Sequence, residues 1–325
     1  MKRGALVISL DFELFWGMSD VTTLEEYGAN VRGVREALPG MLALFTKYNI
    51  HVTWAVVGML TPPTKTDLFA SFPEHQPHYA DMKYSNYEYA RNADIGPDEA
   101  RDPHHFGASL LRLIQKTPNQ EVGSHTFSHY YCTEEGQTAT DFEADTIALH
   151  SSLKPFGITP TSLVFPRNQW REEYLELLRA HGYTAFRGNQ RGWVYASRPR
   201  GSEGLFLRLV RLIDAYLPIF GHHTYDEHAM RRDTLPHNVP ASFFFRPYSP
   251  KLAILEPLRL MRMKRAMTHA ARRGELVHLW WHPHNFGTHT KRNLENLEAV
   301  LKHFVTLQND YGMESLAMRD VAARL

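Results

Sequence analysis

This sequence has almost no cysteine and almost no excess of positive over negative charge. A single cysteine, Cys132, occurs among 325 residues, which excludes an internal disulfide framework and any metal cluster built from several thiolates. The formal net charge is only +1, so no overall field favours a nucleic-acid partner. The chain also lacks the Gly-x-Ser-x-Gly elbow of many serine hydrolases, which argues against a Ser-His-Asp hydrolase.

Long apolar runs are missing as well. No stretch reaches the roughly 18 to 20 apolar residues that a membrane-spanning helix needs, so no transmembrane span is predicted. The first apolar run, residues 5–10, is too short for the core of a signal peptide and is followed at once by Asp11 and Glu13. A cytoplasmic protein is the expectation from these absences.

Short apolar runs alternate with helical patterns along most of the chain. This alternation favours a parallel sheet that is either closed into a barrel or doubly wound. Two stretches break the alternation, residues 61–105 and residues 191–273. Because long irregular stretches within a compact domain usually serve a function, we predict that both are insertions in one domain spanning residues 1–325. Strands are expected at residues 5–10, 51–57, 121–124, 161–165, 183–186, 276–281 and 313–316.

Polar side chains follow several of these predicted strands at the point where each strand ends. The carboxyl ends of parallel strands meet on one rim of the sheet, where α/β folds place their chemistry. We therefore expect these side chains to form one site. They are Asp11, Glu13, His125, Arg167 and His282.

The histidines His125 and His129 are four residues apart and directly follow a predicted strand. Together with Glu13 they would provide two imidazoles and one carboxylate, a known catalytic zinc set that leaves a position open for water. A divalent ion there lowers the pKa of water and polarises a carbonyl oxygen. Asp11 lies on the same side of its strand as Glu13, so Asp11 is predicted to act as the base. The converse, with Asp11 as the ligand and Glu13 behind it, stays open.

Two further residues complete the predicted chemistry. His282, from a strand late in the chain, is predicted to protonate the leaving group as general acid. Arg167 is predicted to orient Asp11 and to lower its pKa through a charge-assisted pair. The reaction that this set of side chains indicates is metal-assisted hydrolysis of an amide or ester.

Four segments resemble, in order, the motifs of the polysaccharide deacetylase family, the NodB-like carbohydrate esterases. The resemblance covers roughly residues 4–190 and 275–325. Two departures stand out, because Asp-Phe-Glu replaces the family's adjacent aspartates and Asn168 stands where the family has a second proline. The four segments are Ser9-Leu10-Asp11-Phe12-Glu13, His125-Thr126-Phe127-Ser128-His129, Phe165-Pro166-Arg167-Asn168 and Leu279-Trp280-Trp281-His282-Pro283.

The resemblance implies a distorted (β/α)7 barrel, a divalent metal of which Zn2+ is the first choice, and removal of an acetyl group from an N-acetylated sugar in glycan or glycolipid biosynthesis. By the same carry-over, Asp11 is the base, His282 is the acid, and Glu13, His125 and His129 bind the metal. Two alternatives stay open: a metal-dependent amidohydrolase of a non-sugar amide, and a catalytically silent carbohydrate-binding protein on the same fold. The predicted substrate contacts are Trp16, Asn168, His284 and Asn285.

The segment from Lys251 to Arg273 is basic and helical in pattern. A basic amphipathic helix can lie on an anionic membrane surface or meet a partner. A helix that packs on the barrel with a solvated basic face explains the same pattern and is favoured. In the membrane case the protein would be peripheral at the inner membrane face and its substrate would be a lipid-linked sugar.

Overall fold

Parallel strands form a single sheet in the computed structural model, which describes residues 3–198 and 204–325. Every strand pair in this sheet is parallel, as the βα alternation of the sequence predicts. The strands are β1 (Ala5–Phe12), β2 (Val52–Val56), β3 (Gln120–Ser124), β4 (Ser162–Val164), β5 (Ala185–Arg187), β6 (His237–Asn238), β7 (Phe243–Phe244), β8 (Leu276–Trp281) and β9 (Glu314–Leu316).

The order of the strands is that of a barrel with one seam left open. Neighbouring strands run β6-β5-β4-β3-β2-β1-β8-β7, so the sheet curls round until β6 and β7 face each other without pairing in the described part of the chain. Along one edge of β1, β9 pairs with residues 5–7 and β2 pairs from Ser9 onward. The result is a curled half-barrel, the distorted barrel that the sequence predicts.

Helices cover the outside of the sheet and connect successive strands. The helix before β4 begins with a capping box, in which Thr138 and Asp141 each accept a hydrogen bond from the other's backbone N–H. The helices are α1 (Leu24–Arg32), α2 (Val34–Lys47), α3 (Lys65–Ala70), α4 (Asn86–Asn92), α5 (Ala108–Lys116), α6 (Ala139–Leu153), α7 (Glu172–Ala180), α8 (Leu205–Asp214), α9 (Glu227–Met230), α10 (Glu256–Arg273), α11 (Thr290–Tyr311) and α12 (Met318–Ala322).

Strand β1 is the centre of the core. All eight of its residues are buried, which is why its sequence reads as a continuous apolar run up to Asp11. Aromatic side chains from three elements, Phe45, Trp54 and Trp281, pack on one another beside it at ring separations of 6.3 and 6.4 Å. Asp11 and Glu13 are therefore presented from a rigid strand.

The two predicted insertions differ in the structure. Residues 61–105 leave the sheet and form α3, α4 and connecting loops. Residues 191–273, in contrast, contain strands β6 and β7 and helix α10, so the prediction of one continuous insertion is wrong there. Two-residue strands give too short a pattern to be recognised from sequence. Helices α8 and α9 lie between β5 and β6 and α10 lies between β7 and β8.

Helix α10 does not present all of its basic side chains to solvent. Arg259 and Arg262 are buried; Arg259 pairs with Glu256 at 2.7 Å, and Arg262 lies over the ring of Phe243. These two charges therefore do not face a membrane surface. The structure instead fits a helix that packs on the barrel. Within the described residues, no helix combines the length and apolarity required to cross a membrane.

A buried carboxylate joins strands at the rim opposite the predicted site. Glu121 accepts hydrogen bonds from the hydroxyls of Thr53 and Ser162, each at 2.6 Å, and from the backbone N–H of Arg319. Burial raises the pKa of Glu121, and these hydrogen bonds oppose the rise without cancelling it. The folded protein therefore holds a proton on Glu121 more tightly than the unfolded chain does.

Glu121→Gln should make the free energy of unfolding depend less on pH. Since the pKa of Glu121 is higher in the folded protein, wild-type stability falls as pH rises through the interval above the carboxyl's ordinary value of 4.5. Urea unfolding from acid to neutral pH should show the wild type losing stability relative to the variant across that interval. Glu176→Gln, at an exposed position on α7, is the matched control. A wild-type-to-variant difference that stays constant with pH would contradict the prediction.

Candidate active site

Side chains from three strand ends converge on the carboxylate of Glu13. Strand β1 delivers Glu13, and the loop after β3 delivers His125 and His129. The Nε2 atoms of these two histidines lie 3.3 and 3.1 Å from Oε2 of Glu13. All three side chains are buried. The structure thus brings together the three residues predicted as metal ligands.

The hydrogen bonding of His125 shows that this set fits a cation. Its Nδ1–H donates to the carbonyl oxygen of Val164 at 2.7 Å, so in the neutral ring the Nε2 atom carries a lone pair. That lone pair faces a carboxylate oxygen of Glu13, an arrangement that is repulsive unless a metal ion or a second proton on the ring lies between the two atoms. Ligand atoms of Glu13, His125 and His129 all lie within 4.8 Å of one another. One carboxylate and two imidazoles, one of them oriented by a backbone carbonyl, suit a divalent ion such as Zn2+.

Two more imidazoles approach the other oxygen of Glu13. Nε2 of His284 donates to Oε1 at 3.1 Å, and Nε2 of His282 lies 3.6 Å from the same atom. Burial acts to raise the pKa of Glu13, but the charge that His282 carries when it is protonated and the hydrogen bonds from His125, His129 and His284 outweigh burial and hold that pKa well below its usual value. Glu13 is therefore an ionised carboxylate at the centre of the site, and the structure favours it over Asp11 as the ligand.

Asp11 is held by a different arginine from the predicted one. Both guanidinium nitrogens of Arg187 donate to Asp11, at 2.7 and 2.8 Å, and both side chains are buried. Burial acts to raise the pKa of Asp11, but the charge of Arg187, with smaller contributions from His125 and His282, lowers it overall. Asp11 is thus ionised and held in a fixed orientation, as a base must be.

Arg167 does not contact Asp11, so its predicted pairing is wrong. Its guanidinium donates to the carbonyl oxygen of Gly17 at 2.9 Å and to Asp20 at 3.0 Å. Arg167 and Asn168 both adopt positive φ, 57° and 53°, so the chain turns sharply after β4 and aims Arg167 along the wall of the cleft. Arg187 satisfies the same sequence criterion, since it ends strand β5.

His282 lies at the mouth of the site. Its Nδ1–H donates to Oδ1 of Asn285 at 3.2 Å, and its Nε2 lies 3.7 Å from Oδ2 of Asp11. Burial lowers the pKa of His282 to about 4, although the charges of Glu13 and Asp11 oppose the shift. The resting ring is therefore neutral, with its free nitrogen directed at the two carboxylates.

The four predicted substrate contacts fall in different places. Asn168 lines the cleft and accepts a hydrogen bond from Arg187. Asn285 instead orients His282. His284 is buried between Glu13 and the hydroxyl of Tyr27, so the predicted substrate contact is wrong for it. Trp16 is also buried, because its Nε1–H donates to the carbonyl oxygen of His105 and the segment 61–105 covers its ring.

The aromatic side chain that does face the cleft is Trp280. Its ring lies 4.3 Å from the guanidinium carbon of Arg187, and it borders a cleft of about 370 Å³ that also exposes Asp11, Glu13 and His282. A cleft of this size accommodates a small ligand. Trp280 is therefore the ring best placed to stack on a sugar.

The histidine loop is shaped by a carboxylate that the sequence analysis did not single out. Asp145, on α6, accepts hydrogen bonds from the backbone N–H groups of Phe127 and Ser128 at 2.6 and 3.1 Å, from the hydroxyl of Tyr87 at 3.0 Å, and from the Ser128 hydroxyl. The loop needs such support because His129 has a positive φ of 57°. In the sequence, Asp145 is an ordinary polar residue within a helix, and nothing near it marks a contact with the loop.

Comparison with known proteins agrees with this geometry. Residues 28–186 match the family model described as polysaccharide deacetylase. The match covers just under half of the chain and shows that this part is similar to the polysaccharide deacetylase family. The similarity indicates the coarse class of carbohydrate deacetylases. The matched segment contains His125, His129 and Arg167 but not Asp11, Glu13 or His282, which only the fold brings to the same cleft. No curated protein matches the chain significantly.

Three solved structures share the fold over nearly all of this chain. A putative polysaccharide deacetylase from Mycobacterium smegmatis has a TM-score of 0.60 at 11% identity, covering 100% of this chain and 91% of that one. A probable polysaccharide deacetylase from Pseudomonas aeruginosa PAO1 has a TM-score of 0.56 at 12% identity, covering 98% and 89%. Puue allantoinase has a TM-score of 0.56 at 11% identity, also covering 98% and 89%. Identities this low show the fold alone, and they confirm the predicted NodB-like barrel.

Asp145→Asn should weaken metal binding without removing a ligand. Phe127 and Ser128 donate to different oxygens of Asp145, and the amide nitrogen of asparagine cannot accept one of these two hydrogen bonds, so the loop carrying His125 and His129 is held less firmly. Loss of such an outer contact lowers metal affinity by about 10- to 100-fold, measurable by competition with a chromophoric chelator.

Asp141→Asn is the matched control, since Asp141 lies one turn earlier on α6 and caps the helix through Thr138. Equal losses of affinity in both variants, or none in Asp145→Asn, would contradict a specific role of Asp145 in the loop.

Proposed function

We propose that this protein is a metal-dependent hydrolase that removes the acetyl group from an N-acetylated sugar. The observation that carries the proposal is the pairing of two buried carboxylates at the end of one strand. Asp11 is neutralised and oriented by Arg187, whereas Glu13 faces imidazole nitrogens in a set that fits a metal ion. A base beside a ligand set, in one cleft, is the arrangement that hydrolysis of an amide requires.

The chemistry is the addition of water across the amide bond. Water adds to the acetyl carbonyl carbon, the carbon–nitrogen bond breaks, and acetate and the free amine of the sugar are the products. A divalent ion held by Glu13, His125 and His129 would supply positive charge that polarises the carbonyl oxygen and makes water a stronger nucleophile at neutral pH. Two imidazoles and one carboxylate suit Zn2+.

Asp11 takes the proton of the attacking water. Its carboxylate lies in the cleft beside Glu13, and Arg187 keeps it ionised and fixed in orientation. Arg187 in turn donates to Ser9 and Asn168, so the base cannot rotate away from the position of the substrate.

His282 delivers a proton to the leaving amine. Asn285 holds its Nδ1–H, so Nε2 is the atom that faces the cleft. Because Nε2 lies 3.7 Å from Oδ2 of Asp11, a proton taken by Asp11 has a short path through His282 to the nitrogen. Asp11 thus acts as the base on the attacking water, and His282 acts as the acid on the leaving amine.

The proposal is tested by measuring acetate release from N-acetylhexosamine compounds by the zinc-loaded protein. Release should depend on Asp11, and Asp11→Asn should lower kcat by about 100- to 10,000-fold while zinc remains bound. Allantoin serves as a non-sugar comparator, because the fold is shared with Puue allantoinase. Hydrolysis of allantoin without acetate release from any sugar would contradict the proposal and favour a non-sugar amide. Sugar binding without turnover would instead favour a silent binding protein.

Arg187→Met should move the acid limb of the pH profile of kcat/KM to higher pH. Arg187 lowers the pKa of Asp11, so its removal raises that pKa, and the base becomes protonated at a pH where the wild type is still active. We also expect kcat to fall by about 100-fold or more because Asp11 loses its orientation.

Arg167→Met is the comparison for this measurement, since Arg167 contacts Asp20 rather than Asp11. Its acid limb should stay where the wild type has it. If Arg167→Met shifts the limb and Arg187→Met does not, the assignment of Arg187 to Asp11 is overturned.

A further inference from the structure

Helix α8 exposes a row of large apolar side chains to solvent. Leu205, Leu209 and Ile213 are four residues apart and share one face, and Phe206 lies beside them. Leu205 is 83% exposed, Phe206 67% and Leu209 53%. Leu217 and Ile219, which follow the helix in the chain, are also exposed, and exposed Trp193 lies in the turn at residues 193–195 that packs against α8. An exposed apolar helix face of this kind indicates contact with another apolar phase or surface.

The same helix directs cations toward the catalytic cleft. Arg208 and Arg211 lie on a different face of α8 from Leu205 and Leu209, and both line the cleft that contains Asp11 and Glu13. An α-helix with its side chains is about 10 Å across. Positive charge bordering the reaction centre and an apolar surface facing outward are therefore separated by only one helix diameter.

A second cavity lies beside the catalytic cleft, on the arginine side of α8. It has a volume of about 250 Å³ and shares Asn168 and Trp280 with the cleft, so the two are adjacent. We call it the arginine pocket. Among the described residues that line it, the only carboxylate is Asp214. Its guanidinium groups are those of Arg167, Arg198, Arg211, Arg246 and Arg259.

The charge of Arg246 in this pocket has no acidic counterpart in the described part of the chain. Its guanidinium lies over the ring of Phe244 and makes no ion pair there. Burial lowers its pKa, and the neighbouring charge of Arg259 adds to that effect. The carboxylate of Asp214 accepts hydrogen bonds from Tyr195 and the backbone of Phe220, and it pairs with His223 at 2.7 Å. A partly buried guanidinium without a carboxylate is a site for an anion, and its fork geometry suits phosphate.

We propose that α8 docks on an anionic membrane surface and that the arginine pocket behind it receives the phosphate of a lipid-linked sugar, whose N-acetylated ring reaches the catalytic cleft. This inference rests on the proposed deacetylase function and names its substrate class. The parts of such a lipid match the parts of the protein in the same order. The sugar matches the metal-ligand set, the phosphate matches the arginine pocket, and the hydrocarbon chain matches the apolar face of α8.

Charge complementarity favours a membrane over a protein partner on α8. Interfacial helices place Arg or Lys beside an apolar face, because the apolar face enters the lipid while the cations meet phosphate groups. α8 has this distribution, and exposed Trp193 is a residue type that concentrates at membrane interfaces. The docking surface also differs from the alternative that the sequence left open for residues 251–273, since α10 turns Arg259 and Arg262 inward.

The docking step is tested by vesicle flotation with the zinc-loaded full chain. The wild type should float with vesicles of phosphatidylcholine and phosphatidylglycerol, and much less with phosphatidylcholine alone. Leu205→Glu combined with Leu209→Glu should lower the bound fraction by at least about tenfold, because two apolar side chains no longer enter the lipid. Zinc content and circular dichroism of this variant show whether it is folded.

Ile147→Glu is the matched control, because Ile147 is similarly exposed but lies on α6. It should float as the wild type does. A wild type that does not float, or that floats equally with neutral vesicles, overturns the docking on an anionic surface.

The phosphate step is tested by comparing three substrates that carry the same N-acetylated sugar. One is joined through phosphate to a short isoprenyl chain, one is the sugar phosphate without a hydrocarbon chain, and one is the neutral methyl glycoside. We expect kcat/KM to be highest for the isoprenyl phosphate compound. Arg246→Gln should lower the ratio of its kcat/KM to that of the methyl glycoside by about 10- to 100-fold. Arg265→Gln, at an exposed position outside the arginine pocket, should keep the wild-type ratio.

The outcomes separate this inference from the proposed function. Acetate release from the methyl glycoside without any preference for phosphate would overturn the inference and leave the deacetylase function standing. Equal kcat/KM for the sugar phosphate with and without the isoprenyl chain would overturn the lipid part. Flotation that depends on Leu205 and Leu209, without acetate release from any substrate, would support docking and contradict the deacetylase function.

Discussion

The structure depends on two carboxylates, Asp11 and Glu13, buried together at the end of strand β1. A buried carboxylate is costly unless a positive charge or hydrogen bonds compensate it. The chain supplies Arg187 to Asp11 as a bidentate partner. Around Glu13 it places histidines, of which His125 turns a lone pair toward the carboxylate. The two carboxylates therefore have different roles. Asp11 already has a cationic partner and can act as a base, whereas Glu13 and its histidines form a set that can bind a metal ion.

The barrel keeps these groups in place over long distances in the sequence. Strand β1 is buried on both faces and pairs with strands from the beginning and the end of the chain. His125 and His129 come from the strand after β2, and His282 comes from β8 on the other side of β1. Residues 28–186, which match the polysaccharide deacetylase family, contain only part of this site. The curled sheet brings the other site residues, Asp11, Glu13 and His282, next to that part.

Much of this arrangement could be predicted from the sequence, because strand ends are marked by a change from apolar to polar residues. The apolar run before Asp11 and the spacing of His125 and His129 identified the ligand set. It was harder to predict which side chains at different strand ends contact each other. Arg167 and Arg187 both end strands, and the pattern does not show which of them points at Asp11. Trp16 and His284 were misplaced for a related reason, since their burial depends on segments far away in the chain. The role of Asp145 has no local signal at all, because its partners lie 17 and 18 residues earlier.

The central claim is that Glu13, His125 and His129 bind one divalent ion on which amide hydrolysis depends. Calorimetric titration of Zn2+ into metal-free protein tests it most directly, with Glu13→Gln titrated in parallel. The account predicts one ion per chain in the wild type, a large loss of affinity in Glu13→Gln, and acetate release that appears as the site fills. Undiminished zinc binding by Glu13→Gln, or acetate release by protein that holds no metal, would contradict it.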